Sequence, residues 1–299
     1  MSDATPILHM LAPMKHMSPF DVNMAADAGY KVIIPYINVT LEEVTPLVQD
    51  AIFSRPPNDG VRTGVFIGGK DAILALDMLE AAKKAQVPPF QLSVFADPAG
   101  SFTTAAAMVA CVERVLKLKF GRSWRGTRVA VFGATGVVGF AASIIVAKEG
   151  AHVQLVAHRG VERVVKSAAL SKERFGVDLE PAPGETDEQR RAIVAEAEVI
   201  FAAAAAGVRV ISGEYLKIAK KLLVAADVNA VPPPGVEGMD LFMNGAPLPG
   251  SEALGVGPLA IGDVKYKTES GLFKRMISSN EPLALDFRDA FALARSVTA

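Results

Sequence analysis

Strand-like and helix-like spacings of apolar residues alternate along the first hundred residues. Short apolar or β-branched runs predict strands at residues 7–11, 31–37, 63–67 and 91–95. Apolar positions at helical spacing predict helices between them, at 19–28, 40–53 and 71–84. Regular alternation of strand and helix predicts a parallel sheet covered by helices.

Several helix ends carry capping signals. Thr40 is followed three residues later by Glu43, the spacing of a capping box, so a helix is predicted to begin at Thr40. Asp71 is a predicted N-cap, and Gly29 follows the first helix where a left-handed residue would end it.

The alternation restarts after the middle of the chain. A helix predicted at 103–119 leads into residues 121–126, which have the composition of a linker. Strands are then predicted at 128–132, 151–157, 199–203 and 222–227, and helices at 137–148, 161–175, 186–197 and 213–220. A loop-rich stretch at 232–259 precedes two last predicted helices, 264–276 and 283–296. No fixed-period repeat is present.

This pattern predicts an α/β protein of two parallel-sheet domains, with a substrate cleft between them. We expect residues 1–106 with 268–299 to form a substrate domain, and residues 107–267 to form a Rossmann-like dinucleotide-binding domain. The length of 299 residues agrees with two domains of roughly 150 residues each.

Composition removes several classes of function. With 31 basic and 32 acidic residues, the net charge of -1 gives no electrostatic reason to expect nucleic acid or a membrane surface as partner. A single cysteine, Cys111, fits a reducing compartment. The first thirteen residues lack the pattern of a signal peptide, and the apolar run at 201–207 is too short to span a bilayer. We therefore expect a cytoplasmic protein.

A glycine-rich turn joins the strand at 128–132 to the helix at 137–148. It reads Gly133, Ala134, Thr135, Gly136, Val137, Val138, Gly139. The first glycine permits a tight turn, the second lets backbone amides approach a pyrophosphate, and the third allows close packing of helix on strand. Because the turn lies between a predicted strand and helix, it predicts an NAD or NADP site rather than a purely structural turn.

The next predicted strand ends at His158 and Arg159, about twenty residues after the last glycine. An acidic residue there would hold the 2′-hydroxyl of NAD. Arg159 suits the 2′-phosphate of NADP, although a solvated arginine at a strand end is the alternative. The sequence therefore leaves both cofactors open.

Polar residues near the end of the fourth strand are candidates for substrate contact. Asp97 could anchor a ligand amide or balance a developing cation, or could form a turn before Pro98. Ser101, Thr103 and Thr104 stand at a helix start, where capping accounts for one of them, and Gly100 leaves room for a close approach. The four histidines show no metal-ligand spacing, so no metal is expected, and Cys111 lies in an apolar helix as an inert thiol.

Several segments in order along nearly the whole chain resemble the methylene-tetrahydromethanopterin dehydrogenase family of methylotrophic bacteria. They are Phe20-Asp21-Val22, Asn38-Val39-Thr40, residues 65–71, residues 97–107, the glycine turn, residues 227–233 and residues 253–267. The resemblance implies hydride transfer from methylene-tetrahydromethanopterin to NAD(P)+, giving the methenyl product, in one-carbon metabolism and formaldehyde oxidation. It also implies a homo-oligomer, a trimer or a multiple of it, and the amino-terminal run before Phe20 is similar to the NAD(P)-dependent type.

The resemblance also implies site residues. Lys265 falls in a segment similar to the family's active-site stretch, where it would contact the pterin, although a solvated lysine is the alternative. Phe20 and Asp21 lie in a similar segment and are candidate substrate contacts, although core packing is the alternative for the phenylalanine. We further predict that Ala203, Asp227 and Ile261 line the cofactor site.

Three alternatives remain at this point. A methylene-tetrahydrofolate dehydrogenase and a shikimate-type NADP dehydrogenase share the domain order, but the lysine patterns of those enzymes are not evident in the first domain. A non-enzymatic NADP-sensing protein would keep the glycine turn, and the polar residues Asp97, Ser101 and Lys265 argue against it.

Overall fold

The computed structural model describes residues 4–299, which form two compact units. The first comprises the described residues up to Thr103 together with Tyr266–Leu293. The second comprises Thr104–Lys265 and Ala294–Ala299. Residues 1–3, which open both the segment considered for a signal peptide and the expected first domain, lie outside the described residues.

The first unit is built on a five-stranded parallel sheet. Its strands are β1 (Ile7–Ala12), β2 (Val32–Ile37), β3 (Thr63–Ile67), β4 (Ser93–Ala96) and β12 (Ala284–Leu285), in the order β12-β4-β3-β1-β2. Its helices are α1 (Pro19–Ala28), α2 (Val44–Phe53), α3 (Pro57–Gly60) and α4 (Ala72–Lys84). The central strand β3 is buried throughout, as expected for a strand covered on both faces.

The second unit contains a seven-stranded sheet. Its strands are β5 (Arg128–Phe132), β6 (His152–Ala157), β7 (Glu180–Pro183), β8 (Val199–Ala202), β9 (Val224–Asp227), β10 (Asn244–Pro247) and β11 (Leu254–Val256), in the order β10-β11-β9-β8-β5-β6-β7. All neighbours pair in parallel except β10 with β11. Its helices are α6 (Val137–Lys148), α7 (Glu162–Phe175), α8 (Asp187–Glu196) and α9 (Gly213–Ile218). The predicted α/β class with two parallel-dominated sheets is confirmed.

Three longer helices contain the unit boundaries: α5 (Ser101–Phe120), α10 (Pro258–Ser278) and α11 (Phe287–Thr298). By length and composition, the segment Pro98–Phe120 is the one stretch among residues 4–299 that could cross a membrane, yet 72% of its most apolar window is buried. Such burial is typical of a core helix. Residues 121–126 have the composition of a linker but belong to the second unit, where the indole of Trp124 is buried against Phe201.

Most predicted elements are present, with corrections. The helix predicted from Thr40 begins at Val44, and only one half of the capping box forms, with the Thr40 amide donating to Glu43 Oε2 at 2.7 Å. Pro46 explains the later start, because a proline has no N–H for an intrahelical bond and fits only in the first turn. Strands β7, β10, β11 and β12 were not predicted, since they are short and two of them contain proline.

Candidate active site

Gly133 is the first residue after β5 and needs to be glycine for two reasons. Its φ of +82° lies in the left-handed region, which side chains disfavour. A Cβ on this residue would also collide with the carbonyl group of Ala203, which follows β8. The turn therefore lies directly against the end of the neighbouring strand.

The other two glycines open the start of α6. Gly136 is the N-cap and provides no side-chain hydrogen bond, so the first amides of the helix, at Val137 and Val138, have no intrahelical acceptor. A Cβ on Gly139 would lie 2.5 Å from Gly133 O, which explains the close packing of helix on turn. The turn thus presents backbone N–H groups and the positive end of a helix dipole, an arrangement that suits a pyrophosphate.

The glycine turn also lies where the direction of the sheet topology reverses. From β5 the chain moves outward through β6 to β7 on one side, and β8 and β9 lie on the other side. Ligands of open parallel sheets bind at such a switch point, beyond the carboxyl ends of the strands. This placement supports a dinucleotide with its pyrophosphate over β5.

His158 and Arg159 follow β6 at the same edge of the sheet, and both are exposed. A dinucleotide whose pyrophosphate lies over β5 places its adenosine ribose near the end of the next strand. Arg159 is therefore in the region where a 2′-phosphate would be read.

Asp227, the last residue of β9, is fully buried and does not face solvent. Its carboxylate accepts hydrogen bonds from the backbone N–H groups of Asn229 and Val236, at 2.9 and 3.0 Å. Burial raises the pKa of Asp227, and backbone N–H donors from Asn229, Val236 and Gly235 oppose that effect. The Asp227 carboxylate thus ties together the two ends of the loop that follows β9.

The remaining cofactor candidates in the second unit, Ala203 and Ile261, have apolar side chains. Ala203 offers the carbonyl that packs against Gly133. Ile261 is buried in the first turn of α10, and its amide donates to Gly257 O at 3.1 Å.

In the first unit, Asp97 is fully buried just beyond β4. Its Oδ1 accepts from the amides of Phe102 and Thr103, at 2.8 and 3.2 Å, and its Oδ2 accepts from the Thr103 hydroxyl at 2.5 Å. Asp97 and Thr103 thus hydrogen-bond to each other at the start of α5. These bonds are the ones expected if Asp97 forms the turn and Thr103 caps the helix. Both residues are fully buried.

The backbone beside Asp97 is unusual. Ala99 has a φ of +54° and Gly100 a φ of +63°, so two successive residues adopt left-handed conformations. Asn38, just after β2, is the other described non-glycine residue with positive φ, at +55°. The ends of parallel β2 and β4 lie at the same edge of the sheet, and strained backbone at such an edge is typical of ligand sites. Neither left-handed conformation is predicted from the sequence.

The other substrate candidates, which lie in the first unit except for Thr104 at the start of the second, differ in accessibility. Phe20 is 47% exposed at the start of α1, whereas Asp21 beside it is buried. Ser101 and Thr104 are half-buried in the first turn of α5, and Gly100 is buried. Phe20, Ser101 and Thr104 are therefore the accessible members of this group.

Lys265 is half-buried in α10 and is the last residue of the second unit on that helix. A few residues on, the carboxyl-bearing side chain of Glu269 is fully buried. Glu269 was not singled out from the sequence, although an acidic residue among apolar helix positions is a signal that could have drawn attention to it.

Other chemistry is not supported by the described residues. In the range 4–299 no group of three or more histidine, cysteine, aspartate or glutamate side chains is arranged to hold a metal ion. Burial raises the pKa of the Cys111 thiol to about 12, so Cys111 is not a nucleophile at neutral pH.

Solved structures share this architecture. Shikimate 5-dehydrogenase of Listeria monocytogenes, solved with shikimate and NAD, aligns over 99% of this chain and 97% of its own, with a TM-score of 0.54 and 14% identity. The NAD-dependent malic enzyme of Thermotoga maritima aligns over 97% and 84%, with a TM-score of 0.59 and 13% identity. The fold and the glycine turn together define the class of protein, an α/β protein with a Rossmann-like unit of the kind found in nicotinamide-dependent dehydrogenases.

Sequence relatives give the family. The NAD(P)-dependent methylenetetrahydromethanopterin dehydrogenase of Methylorubrum extorquens strain AM1 is 56% identical over 97% of this chain and 98% of its own. The bifunctional protein MdtA of the same organism is 31% identical over 94% of each chain. Residues 19–99 match the family model for the N-terminal part of methylene-tetrahydromethanopterin dehydrogenase. The chain belongs to the methylene-tetrahydromethanopterin dehydrogenase family.

Proposed function

We propose that this enzyme transfers a hydride from methylene-tetrahydromethanopterin to NAD(P)+, giving methenyl-tetrahydromethanopterin and the reduced cofactor, in the oxidation of formaldehyde-derived one-carbon units. The observation that carries the proposal is the 56% identity, over almost the full length of both chains, to an enzyme of that name. The open glycine turn at a switch point is the matching structural feature in this chain.

The reaction does not require a strong general acid or base. The methylene carbon lies between two nitrogens, and when it loses a hydride a nitrogen lone pair completes the C=N bond of the methenyl cation. The bound dinucleotide supplies the hydride acceptor. The protein must hold the two reactants in contact and exclude water. A site whose buried carboxylates, Asp97 and Asp227, serve the backbone is compatible with this chemistry.

The two units have separate roles in this proposal. The second unit, with the glycine turn, binds the dinucleotide, and the first unit, with strained backbone at Asn38 and Ala99, binds the pterin. The accessible side chains Phe20 and Ser101 of the first unit, and Thr104, the first residue of the second unit, are the proposed pterin contacts, and Asp97 and Thr103 maintain the start of α5.

Lys265 is the proposed catalytic residue, contacting the carbonyl or a ring nitrogen of the pterin. Lys265→Met is expected to lower kcat/KM for the pterin by about tenfold to a hundredfold, the effect of one lost charged hydrogen bond. The dissociation constant of NADP+ should not change. Lys274→Met, at an exposed position of the same helix, is the matched control. Equal kinetics for both variants and the wild type would remove Lys265 from the site.

Arg159 is the proposed reader of the NADP 2′-phosphate. Arg159→Ala is expected to raise the KM for NADP+ by about tenfold or more and to leave that for NAD+ unchanged, because only NADP carries the phosphate. Arg125→Ala is the matched control, an exposed arginine of the same unit just before β5, at the opposite edge of the sheet. A parallel loss with both cofactors would show that Arg159 does not distinguish them.

We also propose a cytoplasmic homo-oligomer, a trimer or a multiple of it. Support comes from β2, an edge strand on which Val32, Ile34 and Ile37 are 37%, 41% and 51% exposed. An apolar edge strand is a surface that natural proteins rarely leave uncovered. Light scattering on the purified protein would give the molar mass, and a value of one chain would contradict the proposal.

A substrate comparison tests the proposed function. The purified enzyme is supplied with NAD+ or NADP+ and with methylene-tetrahydromethanopterin, methylene-tetrahydrofolate or shikimate, and the absorbance of reduced nicotinamide is followed. Turnover that is fastest with the tetrahydromethanopterin substrate is expected. Turnover with folate or shikimate alone would favour a rival enzyme, and binding of NADP without any turnover would favour a sensing protein.

A further inference from the structure

The loop that follows β9 is held at its base by one buried carboxylate. Asp227 Oδ1 accepts the Asn229 N–H at 2.9 Å, near the start of the loop, and Oδ2 accepts the Val236 N–H at 3.0 Å, at its end. The returning segment is also held, since Gly235 O accepts from the amides of Val210 and Ile211 at 2.8 and 2.9 Å. Both ends of the loop are therefore held by hydrogen bonds at its base.

The tip of the loop is held by a second buried side chain. Asn229 is 6% exposed, and its Nδ2 donates to Pro233 O at 2.9 Å while its Oδ1 accepts the Val231 N–H at 2.9 Å. Val231 is nevertheless 53% exposed, and Pro232 and Pro233 are exposed beside it. The structure thus holds an apolar tip in place without burying it in the core.

The place of this tip relative to the proposed cofactor site can be read from the order of the strands. A dinucleotide with its adenosine at the end of β6 and its pyrophosphate at the start of α6 would extend its nicotinamide half toward the ends of β8 and β9. The loop begins at the end of β9, and the carbonyl oxygen of Pro232 lies 3.6 Å from the position of a Cβ on Gly207, in the loop after β8. The tip therefore stands at the nicotinamide end of the site.

We propose that the apolar tip of Val231, Pro232 and Pro233 shields the nicotinamide ring from water, and that Asp227 and Asn229 are the positioning residues that hold it there. The inference rests on the proposed cofactor site and adds the residues that exclude water from its reacting end. Exclusion of water matters because the methenyl product hydrolyses readily. Apolar side chains with rigid backbone meet that need without adding groups that could transfer protons.

The fluorescence of bound NADPH reports the shielding directly, because the emission of reduced nicotinamide rises and shifts to shorter wavelength when water is excluded. Val231→Ser is expected to lose roughly half or more of the emission gain on binding, while the dissociation constant changes by about threefold or less. Val165→Ser is the matched control, a similar valine, 47% exposed, on α7 of the same unit. It should leave both quantities unchanged.

Asn229→Ala tests the positioning role. Freeing the tip should reduce the emission gain and lower kcat by about tenfold with little change in the KM for NADP+, since alignment rather than affinity is lost. If Val231→Ser and Asn229→Ala both kept the wild-type emission gain of bound NADPH, the proposed shielding by the tip would be overturned. The emission measurement needs no pterin. If the wild type failed to oxidise methylene-tetrahydromethanopterin, the proposed function would be overturned, but the emission comparison would still show whether the tip shields the nicotinamide.

Discussion

Gly133→Ala is expected to abolish measurable reduction of NAD(P)+ and to raise the dissociation constant of the cofactor by about a hundredfold or more. The new methyl group would occupy the position of the Ala203 carbonyl, so the turn or the end of β8 must move. Left-handed backbone costs a non-glycine residue about 1–2 kcal/mol, and forced repacking adds about 1–3 kcal/mol. Titration with NADPH and urea unfolding measure the two effects.

A matched glycine separates backbone strain from the collision. Gly176 has a φ of +68° in the same unit, and a Cβ there would meet nothing within 4 Å. Gly176→Ala should therefore lose only about 1 kcal/mol of stability and keep full activity. A milder variant, Gly136→Ala, has an ordinary φ of -79° and should fold while binding the cofactor more weakly. Unchanged cofactor binding in both Gly133→Ala and Gly136→Ala would contradict the assigned site.

Asp97→Ala is expected to lower the free energy of unfolding by about 3–5 kcal/mol. The substitution leaves the amides of Phe102 and Thr103 without their buried acceptor at the start of α5, while the Thr103 hydroxyl keeps only the Gly100 carbonyl at 3.1 Å. Thermal and urea unfolding, each monitored by circular dichroism, give the change. If Asp97 acts only through structure, Asp97→Asn should lower the free energy of unfolding but leave the kcat of the folded molecules close to that of the wild type.

An exposed cap provides the comparison. Asp71 accepts hydrogen bonds from the amides of Ile73 and Leu74 at the start of α4, at 2.8 and 2.9 Å, but faces solvent. Asp71→Ala should therefore cost only about 1 kcal/mol, since water can replace the lost bonds. Equal losses for the two substitutions would show that burial does not set the importance of Asp97.

Local signals made most of the fold predictable. The predicted helix at 19–28 matches α1, because a proline start and a left-handed Gly29 with φ of +119° mark its two ends. The N-cap Asp71 was likewise correct. The missed strand β7 has the sequence Glu-Pro-Ala-Pro, and it forms only because β6 offers a parallel partner, a tertiary effect that composition does not reveal.

The candidate site was predictable where residue type alone dictates geometry. Gly133 and Gly139 must be glycine for steric reasons, so their spacing pointed to the dinucleotide turn. Ala99 and Asn38 are not glycines, so their residue type does not predict the left-handed backbone that the structure has at both positions. Nor could it show that Asp97 and Asp227 turn inward, because burial depends on the packing of whole elements around each carboxylate.

Deuterium labelling shows whether the enzyme passes a hydride directly from the methylene carbon to the cofactor. The enzyme is supplied with tetrahydromethanopterin carrying a dideuterated methylene group and with NADP+, and both products are examined by mass spectrometry. Direct hydride transfer predicts one deuterium in the reduced nicotinamide and one retained on the methenyl carbon. Reduced cofactor without deuterium, or no reduced cofactor at all, would rule out direct hydride transfer from the methylene group to NADP+.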